Sequence, residues 1–180
     1  MQSCRPADIV MNGANGILIG KEGEGKLLFD EVRWRMAYSA CGIFLGIMKG
    51  CFSTAIEYCE QRYQGGRMII EWSEIRMKLA GMASLISMAE TCFCGLKNMF
   101  ASGSRDAGSS AVAAADHIGV ISADVTSEGI QLLGGNGYMK DYGQEKRMRD
   151  VKQAQCLMGS SYMRKKSIID EIMEARQNKN

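Results

Sequence analysis

Phe29, Val32, Met36, Ala40, Ile43, Ile47, Cys51, Thr54 and Tyr58 recur every three or four positions between Lys26 and Tyr63. That spacing predicts one long helix with this stripe turned inward. Gln64-Gly65-Gly66 ends it, because glycine accepts the left-handed backbone that follows a helix. In the next segment Trp72, Leu79, Ile86, Phe93 and Phe100 are spaced by seven, with Ile75, Met82, Ala89 and Leu96 interleaved. A seven-residue repeat of this kind predicts near-parallel or antiparallel neighbours in a bundle. The run ends at Ala101-Ser102-Gly103-Ser104. A third helix is predicted from Ala111 to about Leu133, rich in small residues (Ala111, Ala113, Ala114, Ala115, Gly119, Ser122, Ala123) that let helices approach closely. Gly134-Gly135-Asn136-Gly137 breaks it. A fourth runs from about Gln144 to Glu174 with Met148, Val151, Gln155, Met158, Tyr162, Ile169 and Ile172 inward.

Residues 1 to 25 read as turn and short strand, with Ile17-Leu18-Ile19 between Gly16 and Gly20. The predicted fold is all-α: an antiparallel four-helix bundle, up-down-up-down, with a short extended N-terminal segment. Residues 26–175 form the bundle and 176–180 a frayed tail.

Composition sharpens this picture. Pro6 is the single proline, so helix breakers are almost absent, and 14 methionines with 7% aromatics suit helical packing. The net charge of +2 is too balanced for a nucleic-acid footprint. Lys49, Glu57, Glu90 and Lys97 interrupt the apolar runs, so no membrane span is expected. Met1 to Val10 lacks the apolar stretch of a secretory signal. The seven cysteines include a Cys92-x-Cys94 pair rather than a C-x-x-C, and His117 is the one histidine. Reduced thiols packed as small apolar groups, in a cytoplasmic or organelle-matrix protein, are the expectation. His117 reads as a hydrogen-bonded or surface imidazole.

Several polar segments have two readings. The glycines at 134, 135 and 137 make either a helix–helix turn or a backbone that can approach a phosphate. Glu145 to Asp150 reads as a solvated helix start with i,i+4 charge pairs. Arg62 complements the dipole at the end of the first helix. Arg164-Lys165-Lys166 reads as hydrated surface.

Their combination carries more. Gln131-Leu132-Leu133-Gly134-Gly135-Asn136-Gly137-Tyr138, then Tyr142, Glu145-Lys146, Met148-Arg149-Asp150 and Lys152 closely resemble the signature of the flavin-dependent acyl-CoA dehydrogenases. Glu60, Arg62 to Gly66, Ile69, Ile75 and Lys78-Leu79-Ala80 resemble that family's R-x-x-F-G segment and the helix after it. Gly20, Gly23, Glu24, Gly25, Phe29-Asp30, Arg33 and Gly42 resemble the entry into its first C-terminal helix.

The resemblance implies a three-domain subunit of which this chain holds the C-terminal bundle, with residues 1–25 the end of the β-domain and linker. It implies FAD bound between the β-domain and the bundle and partly contacted by a neighbouring subunit. Arg62 would face the pyrophosphate of the neighbour's FAD, and Gln131, Gly134 and Gly135 would contact it by amide and backbone. Ser160 matches a hydroxyl position at the cofactor; Asp30 and Arg33 match positions lining the acyl-CoA site. An acyl-CoA substrate, an electron-transfer flavoprotein or similar acceptor, and a homodimer or homotetramer are implied as partners. The bundle alone is expected to bind little FAD and to be inactive.

The chain departs from the family pattern where the chemistry needs a carboxylate base to take the α-proton. One position that carries the glutamate in the family is Met158, the other is Val32, and neither side chain accepts a proton. Glu31 is one residue from the second. Gly65 stands for the family's phenylalanine, Ser73 for a glutamine and Gly143 for a proline. Two further readings stay open: a flavin monooxygenase of the same fold, and a non-catalytic bundle used for assembly.

Overall fold

The computed structural model describes residues 7–157 and 159–177. The expectations for Met158 and for residues 1–6 and 178–180 lie outside the described residues. Three long helices dominate: α1 (Gly25–Gln61), α2 (Ser73–Ala101) and α3 (Ala107–Leu133). A two-stranded hairpin, β1 (Tyr63–Gln64) and β2 (Arg67–Met68), joins α1 to α2. After α3 come the short α4 (Gly135–Tyr138), then α5 (Gln144–Ala154) and α6 (Ser161–Gln177). Two 3-10 turns, at Ile69–Glu71 and Lys140–Tyr142, complete the connections.

Cross-helix contacts give the directions. Tyr38 stacks on Phe93 with ring centroids 4.8 Å apart and also meets Phe100, whereas Lys49 further along α1 bonds Glu90 at 2.6 Å. The order along α2 is reversed, so α1 and α2 are antiparallel. Between α1 and α3 the order is kept: Trp34 lies at Gly108, Phe44 at Gly119 and Cys51 at Gly129. Those three glycines are the seats for three side chains of α1. A Cβ at Gly108 would come within 2.6 Å of the Trp34 ring, and one at Gly119 would sit 3.2 Å from Phe44. The small-residue content of α3 is thus spent on close approach to α1. The α5–α6 arm returns along α3, with Gln144 beside Gly129, Gln155 Nε2 donating to Gly119 O at 2.6 Å, and Arg164 on Asp116.

The all-α expectation agrees with this architecture, and the seven-residue pattern of α2 agrees closely. Leu79, Met82, Ile86, Ala89 and Leu96 are buried, and Ile75, Phe93 and Phe100 pack against them. The stripe expected on α1 holds at Ala40 and Cys51 and is corrected at four other positions. The buried set is Ala37, Ala40, Cys41, Phe44, Leu45, Met48, Cys51, Ala55 and Cys59, while Phe29, Val32, Met36 and Ile43 are exposed. This helix is apolar around most of its circumference, so periodicity alone offers two faces and cannot choose between them. The predicted fourth helix is two helices, with a turn at 155–160 in which Gly159 takes φ +84°. Beyond that turn Tyr162, Ile169 and Ile172 are exposed rather than inward, because the turn re-aims α6. No strand forms among residues 7–24, and Ile17 to Ile19 are exposed: nothing beside them offers an edge to pair with.

Helices α1 and α2 are, by length and composition, apolar enough to cross a bilayer, contrary to the sequence expectation. One lysine of each pairs across helices, Lys49 with Glu90 and Lys78 with Glu128. The apolar side chains of both line the shared core. Two buried hydroxyls of α3 are satisfied within their own helix: Ser122 Oγ donates to Gly119 O at 2.8 Å and Thr126 Oγ1 to Ser122 O at 2.8 Å.

The six described cysteines are unpaired. Burial pushes the Cys41 thiol up to about 12 and the Cys51 thiol up to about 11. Both stay protonated at neutral pH and pack as small apolar groups.

Candidate functional site

The site begins where α1 ends. Arg62 leaves the helical conformation, its N–H donating to Tyr58 O at 2.9 Å and its carbonyl accepting from Ile69 N–H at 2.8 Å. The chain then turns through Gly65 and Gly66, at φ +70° and +90°. A two-residue hairpin turn with positive φ at both positions matches the strand twist, and glycine takes that conformation freely. Trp72 lies across this turn. Its Nε1–H donates to Gln64 O at 3.4 Å, and the Arg67 guanidinium covers the ring at 3.7 Å from the centroid. A Cβ at Gly65 would meet Trp72 Cζ2 at 3.0 Å.

The end of α3 supplies the facing side. Gly134 adopts φ +57° and ψ −135°, and a Cβ added there would meet nothing within 4 Å, so its backbone is open to approach. Asn136 Nδ2 donates to the Tyr58 hydroxyl at 3.0 Å, and Tyr142 meets Tyr58 edge-on with centroids 5.7 Å apart. These contacts pin the glycine loop to α1. Between the two sides is an open cleft of about 460 Å³, with Arg62, Gln131 and Gly134 in its lining beside Tyr58, Ile69, Trp72 and Leu132. The Arg62 side chain is exposed, and among the described residues it has no hydrogen-bonding or ionic partner. Glu74 adds one carboxylate to the lining, bonded to its own neighbour Ser73 at 3.2 Å.

The other predicted residues lie elsewhere. Arg33 pairs with Asp30 at 3.2 Å and Glu171 at 3.5 Å and donates to Ser167 at 2.8 Å, tying α1 to α6. It lines a second, more apolar groove of about 390 Å³ with Phe29, Met36, Val112, Leu157, Gly159, Met163 and Arg164. Ser160, next to that groove, is exposed and its Oγ accepts from Met163 N–H at 3.4 Å. Arg33 in α1 and Arg62 at its C-terminal cap stand about 43 Å apart at 1.5 Å per residue. The sequence-predicted residues therefore form two groups at opposite ends of the bundle: Arg62, Gln131 and Gly134 in one, Asp30, Arg33 and Ser160 in the other. Gly135 opens α4 beside the first group, outside the cleft lining.

Neither the described base position, Val32, nor its neighbour Glu31 offers a free carboxylate. Val32 is a half-exposed aliphatic side chain. Glu31 accepts from Arg35 Nη2 at 2.7 Å and Nε at 3.2 Å, and it lines a different crevice with Trp34 and Phe100.

The reading of Arg164 as hydrated surface is corrected. Arg164 is 5% exposed, and its Nε donates to Asp116 Oδ1 at 3.0 Å. Its Nη1 donates to Gln155 O at 2.8 Å and Gly159 O at 2.7 Å, closing the turn between α5 and α6. The neighbouring lysines masked it in the sequence. Tyr58 and Trp72 were also missed as site residues, because each reads as one more member of an apolar stripe.

A model of the acyl-CoA dehydrogenase C-terminal domain matches residues 29–173. The chain belongs to the acyl-CoA dehydrogenase family. It is 32% identical over 162 residues to a short-chain specific acyl-CoA dehydrogenase of Clostridium acetobutylicum, a match covering 86% of this chain and 41% of that protein. Among solved structures it is similar to the butyryl-CoA dehydrogenase of Megasphaera elsdenii, with a TM-score of 0.81 at 25% identity over 86% of this chain and 40% of the other. A chain in a structure described as an electron transferring flavoprotein of Acidaminococcus fermentans matches with a TM-score of 0.80 at 27% identity, covering 85% and 40%. The chain thus spans about two fifths of the length of these acyl-CoA dehydrogenase relatives.

Proposed function

We propose that this chain is the C-terminal bundle of a longer FAD-dependent acyl-CoA dehydrogenase-like subunit, and that its cleft supplies one wall of a flavin site completed by a neighbouring subunit. The observation that carries this reading is the cleft itself. It joins an unpartnered guanidinium, a side-chain amide and an open glycine backbone along an apolar wall. Those groups fit a dinucleotide: Arg62 neutralises the pyrophosphate, Gln131 offers its amide, and Gly134 and Gly135 bring backbone close to the phosphates. When bound, FAD would supply the hydride acceptor for α,β-dehydrogenation of an acyl-CoA thioester.

At the far end Asp30, Arg33 and Ser160 belong to the substrate and flavin-ring side of the same subunit's own site. The separation of the two groups along α1 suits a cofactor shared between subunits, hence a homodimer or homotetramer. The apolar Val32 and the engaged Glu31 leave the α-proton base to the rest of the longer subunit. On this reading the 180 residues alone are inactive. Reduced flavin would pass its electrons to an electron-transfer flavoprotein or a similar acceptor, in the cytoplasm or an organelle matrix.

The missing base also favours a second reading, a flavin monooxygenase of the same fold. Anaerobic mixing of the longer protein with acyl-CoAs of several chain lengths separates the two. Dehydrogenation predicts rapid loss of flavin colour with at least one of them. Persistence of the oxidised spectrum with all of them contradicts it.

A further inference from the structure

We infer that Trp72 is a ligand-contacting wall of the cleft, setting its width beside the phosphate-binding groups. This rests on the nucleotide reading above and adds a residue to it. The indole is fixed rather than free. Arg67 covers its ring, its Nε1–H is engaged by Gln64 O, and the turn at Gly65 closes against its six-membered ring. That turn has no side chain at 65, and the indole occupies the space where one would project, since a Cβ there would already sit 3.0 Å from Cζ2. The remaining surface of the indole lines the cleft together with Ile69 and Leu132, opposite Gly134. A rigid, planar apolar surface next to an unpartnered guanidinium suits a ligand that couples a diphosphate to a flat or sugar-bearing apolar part, as a nucleoside diphosphate does. Arg67 has a separate duty from Arg62: it clamps the ring, whereas Arg62 stays available to anion.

The test uses the chain as it is, labelled with nitrogen-15 and titrated with ADP up to millimolar concentration, where even the weak binding expected of a single wall moves the signals of the groups it touches. The two tryptophans give two indole N–H signals, and Trp72→Phe assigns them by the one that disappears. The inference predicts that ADP shifts the Trp72 indole signal in step with the Gly134 amide, while the Trp34 indole, at the other end of α1, stays in place. Gly65→Ala, whose methyl group crowds the ring and strains the turn at φ +70°, should move the Trp72 signal before any ADP is added and diminish its response to ADP. Movement of Gly134 with an unmoved Trp72 indole overturns the role of Trp72 and leaves the cleft a nucleotide site. No movement of either overturns both.

Discussion

Replacing Arg164 with methionine should destabilise the bundle by about 3–5 kcal/mol, because it strands the buried Asp116 carboxylate. Asp116 is 8% exposed and Arg164 5%, so water screens the pair poorly. The loss extends beyond the ion pair, since the same guanidinium also satisfies Gln155 O and Gly159 O where α5 gives way to α6. Lys165 lies 3.9 Å from the second Asp116 oxygen but is largely exposed, and so can compensate only in part. For a domain of this size the expected fall in Tm is roughly 10 °C. The double variant Arg164→Met/Asp116→Leu should recover much of the deficit, because it removes the stranded charge along with its partner. Thermal unfolding followed by circular dichroism checks both. A single variant within about 2 °C of the parent chain would mean that the pair is not buried in solution.

Gly137→Ala is expected to cost about 3 kcal/mol, at the upper end of what overpacking usually costs. Its methyl group would collide with Ile130 O and come within 2.9 Å of Ile130 C and Cα. All are backbone atoms of α3, so no rotamer change relieves the contact. The α4 turn would have to lift away, carrying Asn136 off the Tyr58 hydroxyl and deforming the glycine side of the cleft. Gly135→Ala, two residues earlier, is the control. A Cβ there meets nothing within 4 Å, so its cost should stay within about 0.5 kcal/mol. Urea unfolding of the two variants gives the comparison, and equal costs would contradict the packing described for this loop.

The legible and illegible parts of this sequence divide by how one-sided each element is. Helix α2 buries a single heptad face and was readable residue by residue from Leu79 to Leu96. Helix α1 carries apolar side chains on two faces, and the regular stripe of Phe29, Val32, Met36 and Ile43 turned out to be the exposed one. What decides between the faces is the fit of Trp34, Phe44 and Cys51 into glycine seats on α3, a long-range match that no local period reports. The break near Gly159 was hidden for a similar reason. The turn is fastened by Arg164 reaching back to Gln155 O and across to Asp116, and the sequence shows only three adjacent cations. Arg62, Gln131 and Gly134 were singled out by motif resemblance, and the fold brings them together at one cleft. Trp72 was not, since its contacts with Gly65 and Arg67 exist only once the hairpin has formed. Arg33 was singled out by the resemblance, but its pairing with Glu171 on α6 depends on how that helix is re-aimed after the turn.

On the proposed reading Arg62, in the lining of the cleft, would hold the diphosphate of a flavin dinucleotide shared between subunits. The most direct measurement is the flavin retained by the longer protein on gel filtration, read from its visible absorbance, with Arg62 intact and as Arg62→Gln. The account predicts bound flavin in the first and a loss of affinity on the order of ten- to a hundredfold in the second, the worth of one charge-assisted contact. Equal flavin content in both, or none in the protein with Arg62 intact, would contradict it.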